Sequence, residues 1–182
     1  MEIANLVLQS LTPAGLKNTI SSVKVLAIEF SVSNLNAVIN VLRCFPFLEK
    51  LYVIWRRHRM IPTKNAWHYD PLDPVKCVET HLKELVLKNY EGDAQDVCFA
   101  KFFVLNAKLL KEIKFGVVRK INKEWVAGQY RLLEVGSRAS PDARFEFILS
   151  NESRLDAHDL STVDPFTCYL IRGVDALSEE SY

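Results

Sequence analysis

The chain has 182 residues, is 49% hydrophobic and 25% charged, and carries a net charge of +1. That length suits one domain or a short repeat array with its own core, and the near-neutral balance removes any global electrostatic pull towards nucleic acid or membrane. No apolar run approaches the roughly 18 residues of a membrane span, Met1-Glu2-Ile3 lacks the basic region that opens a signal peptide, and the widely spaced Cys44, Cys77, Cys98 and Cys168 are expected as reduced thiols of a cytoplasmic or nuclear protein.

Along the chain one pattern returns. Apolar residues stand at offsets zero, three and five in Ile3/Leu6/Leu8, Val23/Leu26/Ile28, Leu48/Leu51/Val53, Leu82/Leu85/Leu87 and Leu110/Ile113/Phe115. Successive copies are 20, 25, 34 and 28 residues apart. An α-helix would ask for an apolar partner at offset four, and a half-buried strand for strict alternation. The spacing suits leucine-rich repeats, with an insertion in the long interval. In such a repeat the last two apolar residues lie on a short strand and point inward. The first sits at the turn into the strand and packs on the neighbouring repeat. One repeat cannot bury this face alone, whereas stacked repeats share a continuous core. The strand around Phe145 and Phe147 is a weaker sixth copy.

Helices are expected in the intervals. Ser33/Asn34 caps a helix whose buried face is Leu35, Val38, Ile39 and Leu42. Residues 55–76, WRRHRMIPTKNAWHYDPLDPVK, break the rhythm, and Pro62, Pro71 and Pro74 make them an insertion loop. Asp93 is the predicted N-cap of the next helix, with Asp96 placed for its dipole. That helix carries Val97, Phe99, Ala100, Phe102, Phe103, Val104 and Leu105. It is apolar around most of its circumference and so is expected to be sandwiched. Asn122 caps a third helix with Trp125, Tyr130, Leu132 and Leu133. The alternation predicts an α/β fold: a leucine-rich-repeat-like solenoid end with parallel strands and flanking helices. Residues 151–182 hold seven acids and two bases, a charge of −5 against +6 for residues 1–150, and read as an acidic, weakly ordered tail.

Chemistry-bearing patterns are sparse. The glycines are isolated, so no turn of the G-x-G type can cradle a phosphate. Cys77 and His81 lie four apart and His68 sits near Asp70, but the paired motif of a zinc site is missing. No G-x-S-x-G signature marks a hydrolase. Cys44 and Cys98 fall in apolar helices and are expected in the core. Arg56-Arg57-His58-Arg59 is read as a solvated loop, in preference to a reader of nucleic acid or of an acidic partner segment, because the overall charge is balanced. The candidate partner-binding residues are the outward positions of the strands. These are Lys50, Tyr52 and Ile54, then Glu84, Val86 and Lys88, with Lys114 continuing the row. Tyr52 and Ile54 would place apolar anchors on an otherwise charged face.

The run HLKELVLKNYEGDAQDVCFAKFFVLNAKLLKEIKF, His81 to Phe115, resembles the FBD domain at the end of plant F-box/leucine-rich-repeat proteins. The resemblance continues through Trp125, Leu132-Leu133-Glu134 and Ser140-Pro141-Asp142-Ala143 to Phe145–Phe147, and Cys77 fits the usual start. It implies a leucine-rich-repeat-like segment over 1–75, an FBD domain over 76–149 and the tail over 150–182. It also implies a protein-interaction module from the substrate-recognition part of an SCF-type ubiquitin ligase. No catalytic role, cofactor, metal, nucleic acid or membrane is implied. Such proteins usually begin with an F-box, for which there is no room before the first repeat, so direct binding of the Skp-type adaptor is not expected. The competing readings are a non-functional or regulatory truncated remnant and an unrecognised enzyme. Residues 1–20, with no cap before the first repeat, are expected to be the least stable. The tail is expected not to reach back to them, since it leaves from the opposite end of the array.

Overall fold

A computed structural model describes residues 8–9, 19–30, 35–55, 74–149 and 168–172. The strands are β1 Leu8–Gln9, β2 Val25–Phe30, β3 Lys50–Trp55, β4 Glu84–Tyr90, β5 Glu112–Val117, β6 Arg144–Leu149 and β7 Cys168–Arg172. The helices are α1 Leu35–Leu42, α2 Lys76–Thr80, α3 Ala94–Asn106 and α4 Lys123–Leu132. All strand pairs are parallel, in the order β1-β7-β2-β3-β4-β5-β6. The fold is thus mixed α/β, with β2 to β6 adjacent in chain order and crossovers between them, as parallel pairing demands.

The repeat pattern is the register. Leu26 pairs with Leu51, Leu51 with Leu85, Leu85 with Ile113 and Ile113 with Phe145. The second row runs Ile28, Val53, Leu87, Phe115 and Phe147. Every member of these rows on β2 to β5 is fully buried, as are Val23, Leu48, Leu82 and Leu110 at the turns into the strands. Side chains alternate between faces along a strand, so these two rows form one inner face on which the helices pack. Main-chain bonds stitch the turns together too. Glu49 N–H donates to Lys24 C=O at 2.8 Å, Lys83 N–H to Glu49 C=O at 2.8 Å, and Lys111 N–H to Lys83 C=O at 2.7 Å.

The helix starts follow the caps. Asp93 accepts from Gln95 N–H and Asp96 N–H, both at 2.9 Å, and Asn122 accepts from Trp125 N–H at 2.7 Å. Asp96 does more than face the α3 dipole. It is buried, and its carboxylate takes Glu91 N–H at 2.7 Å and Gly92 N–H at 3.1 Å, tying the β4–α3 turn to the helix. α3 buries Val97, Phe99, Ala100, Phe102, Phe103 and Val104, in agreement with its broad apolar circumference. Phe99 meets Trp55 edge-on at 4.9 Å and Phe103 at 5.2 Å.

Several expectations need correction. Cys98 on α3 is exposed, whereas Cys44 and Cys77 are buried. A helix in which Asp96, Val97, Phe99, Ala100 and Phe103 all face the core still has one outward line, and Cys98 lies on it. On α4 Tyr130 and Leu132 are exposed, and the buried residue is Gln129. Gln129 shares a face with Trp125 at the i, i+4 spacing, and its Oε1 accepts from the buried Tyr90 hydroxyl at 2.6 Å. Helix α2 was unforeseen, because its five residues are too few to show a period. Residues 168–172 of the tail reach back, against expectation, and lie as β7 between β1 and β2. The distance is no obstacle: residues 150–167 can span about 60 Å when extended, and five strand spacings are only about 24 Å. The Ser33/Asn34 cap, most of the 55–76 insertion and most of residues 1–20 lie outside the described residues.

Candidate functional site

The outer face of the sheet carries three rows. The first is Val25, Lys50, Glu84, Glu112 and Arg144; the second is Ala27, Tyr52, Val86, Lys114 and Glu146; the third is Glu29, Ile54, Lys88, Gly116 and Ile148. All seven predicted partner-binding residues fall on these rows, so the register brings them together. Their exposure differs along the sheet. Val25, Ala27, Glu29 and Ile54 are buried, Tyr52, Val86 and Lys114 are half-buried, and Arg144, Glu146 and Ile148 are exposed. Ile54 is therefore withdrawn rather than presented: it packs with Ala27, and Tyr52 leans on that pair.

Charges on the face are ordered. Lys50 pairs with Glu84 across the β3–β4 boundary at 3.1 Å, and Lys114 with Glu112 along β5 at 2.9 Å. The Glu112 carboxylate is the main reason that the Lys114 ammonium titrates above its usual value, with lesser help from Glu146 and Glu84. At the turns before the strands, Glu49 bridges Lys83 at 2.5 Å and Lys24 at 3.4 Å. Lys83, and then Lys24, hold its carboxyl below the ordinary range.

The end of the sheet at β6 differs from its middle. Phe145 and Phe147 continue the inner rows but are only partly buried. Phe147 stacks on Phe115 at 4.5 Å and meets Trp125 edge-on at 5.4 Å. Tyr130 leans over the same end, and its hydroxyl donates to the Phe145 carbonyl at 3.3 Å. Ile148, Leu149, Tyr130 and Leu132 are exposed there by 45, 53, 38 and 54%. The sequence reading placed a strand at Phe145 and Phe147 but did not single out this end as an exposed surface. A signal was available: an inner row stays partly exposed wherever no neighbouring repeat covers it.

Converging reactive groups are not brought together among the described residues. Cys77 is buried with its thiol directed at Leu42 C=O, 3.6 Å away, and burial pushes it up to about 12. The His81 ring instead meets Thr80 Oγ1 at 2.7 Å and the edge of Phe47 at 5.0 Å. No group of three or more His, Cys, Asp or Glu able to hold a metal occurs among the described residues. A shallow cleft of about 430 Å³ is lined by Thr19, Ser21, Arg43, Phe47 and Lys76. Lys76 sits over the Phe47 ring at 5.5 Å, so its ammonium is already engaged. His68, Asp70 and Arg56-Arg57-His58-Arg59 lie outside the described residues. No described helix is long and apolar enough to cross a membrane.

Two family models match the chain. Residues 1–53 match the model described as "FBD-associated F-box protein At5g56370, LRR repeats", and residues 70–115 match the FBD model. Comparison with curated proteins and with solved structures gives no match.

Proposed function

We infer from the two matches, in this order along the chain, an F-box/leucine-rich-repeat/FBD-type protein with a role in protein interaction. We propose that the chain is the recognition part of such a protein, using the outer sheet face to capture a protein substrate for ubiquitination, in the cytoplasm or nucleus. In this reading it is an adhesive surface, not an enzyme. On the same reading the FBD unit runs over 76–149, an extent supported by the unbroken continuation of the β5 register into β6. The strands form the end of a leucine-rich-repeat-like solenoid.

The observation that carries the proposal is the outer-face row Tyr52, Val86, Lys114, a half-buried apolar-to-basic stripe held on three adjacent strands. Stripes of this kind give an interface anchors set in a polar rim. The repeat register rigidifies the stripe, so little ordering entropy is lost on binding. The test is affinity capture from native extract, with and without Skp-type adaptor, by the wild type and by a Val86→Glu/Lys114→Glu variant of unchanged unfolding midpoint. A partner should be retained by the wild type irrespective of adaptor and lost by the variant. Equal retention by both would remove the outer face from the site.

A further inference from the structure

Among the described residues the sheet ends on one side at β1, of which Leu8 and Gln9 are described, and on the other at β6, which offers six residues and has no described strand beyond it. In a parallel ladder the main-chain groups of alternate residues turn to opposite neighbours. Arg144 N–H donates to Lys111 C=O at 2.8 Å. Arg144, Glu146 and Ile148 therefore turn their main chain to β5, and Phe145, Phe147 and Leu149 turn theirs outward. The Tyr130 bond to the Phe145 carbonyl comes from that outward side.

The side chains state what would fit. On the inner face Phe145 and Phe147 are partly buried and have no described strand on the open side, so an incoming strand needs apolar residues opposite them. On the outer face Arg144 and Glu146 are exposed, and neither makes an ion pair among the described residues. Each has an opposite charge beside it on β5 alone, Glu112 next to Arg144 and Lys114 next to Glu146. Opposite charges across a strand pair stabilise and like charges destabilise. The open side thus asks for an acid opposite Arg144 and a base opposite Glu146.

We propose that β6 is a strand-acceptor site that binds, in parallel, an extended segment of a partner protein with the order acid–apolar–base–apolar. β5 shows this solution on the other side of β6, where Glu112-Ile113-Lys114-Phe115 lies opposite Arg144-Phe145-Glu146-Phe147. Strand addition of this type takes affinity from the main chain and specificity from alternate side chains. A second copy is a poor occupant, since Leu8-Gln9, the described part of its β1 edge, carries neither the acid nor the base. The chain's own Glu152-Ser153-Arg154-Leu155 has the charges. Its second position is polar, however, and it begins too soon after Leu149 for the crossover of a dozen residues that a parallel neighbour needs.

The test uses the full chain and two capped peptides, KEIKFGV and its charge-reversed form KKIEFGV, with amide shifts as the readout. The wild type should bind the first about tenfold more tightly than the second, with shifts centred on Phe145–Leu149. An Arg144→Glu/Glu146→Arg variant should reverse the preference. A second variant, Tyr130→Phe, frees the Phe145 carbonyl and should tighten KEIKFGV by about threefold; it decides the matter if the charge-reversed protein does not fold. Absence of binding, equal affinity for both peptides, or shifts outside β6 would overturn the proposal. Self-association through β6, seen by sedimentation and abolishing peptide binding, would overturn it too.

Discussion

The middle of the sheet and its β6 end obey the same register and differ in everything that depends on having a second neighbour. Leu85 and Leu87 lie between filled rows on β3 and β5 and are fully buried. Phe145 and Phe147 occupy the equivalent positions on β6, with one neighbouring strand among the described residues, and stay partly exposed although their rings are larger. The inner rows alone would suggest uniform stability. The comparison teaches that burial here is a property of adjacency, so the same residue pattern makes a core in the middle and a surface at the end.

Substitutions can break this contrast. Leu85→Ala should cost about 2–5 kcal/mol, because the site is closed on all sides and cannot collapse. Ile148→Ala on β6 should stay within about 0.5 kcal/mol. Denaturant midpoints at constant m check both, and equal destabilisation would contradict the distinction. The β4–α3 turn, between these regions, should come next. Asp96→Ala removes a buried carboxylate that holds the Glu91 and Gly92 amides and should cost about 2–3 kcal/mol. An unchanged thermal midpoint would mean that water serves those amides equally well. Gly92→Ala acts at the same turn. Its φ is +74°, and a Cβ there would stand 2.8 Å from Gln129 Nε2 and 2.9 Å from Trp125 Cζ2. About 1–2 kcal/mol of backbone cost is expected. The new methyl should also push α4 off the turn, read as faster exchange of the α4 amides. Unaltered α4 exchange would argue that α4 is not fixed through this turn.

The smallest effect belongs to the charged turns. The folded-state pKa of Glu49 is depressed, chiefly by Lys83. Its stabilisation is therefore complete above the ordinary value of 4.5 and is lost as pH falls through the lower folded value. Because the pair is substantially exposed, less than about 1 kcal/mol is involved. Glu49→Gln should flatten the acid limb of the stability–pH curve slightly and leave neutral stability nearly unchanged. A large loss at neutral pH would show a structural role beyond the ion pair.

Much of this was legible in the sequence. The offsets of Leu82, Leu85 and Leu87 carry both the strand period and the turn residue, so the register followed from one period. The Asp93 and Asn122 caps were legible because capping is a local bond. What escaped depends on distant partners. Gln129 is buried where its Oε1 accepts from the Tyr90 hydroxyl, a partner 39 residues away. Tyr90 itself turns inward only because Asn89, at φ 61°, shifts the register between Lys88 and Tyr90. The withdrawal of Ile54 likewise reflects Ala27 beside Tyr52 on the adjacent strands. The position of β7 escaped for another reason: no local spacing encodes which slot a distant strand fills.

Native-state amide exchange along β4, β5 and β6, with the chain monomeric, tests the central claim most directly. The amides of Leu85, Leu87, Ile113 and Phe115 should exchange only through global opening. Along β6 protection should alternate: Arg144, Glu146 and Ile148 slow, Phe147 and Leu149 fast. Uniformly slow exchange on β6 in the monomer would mean that its outer edge is already covered, and uniformly fast exchange would remove β6 from the sheet.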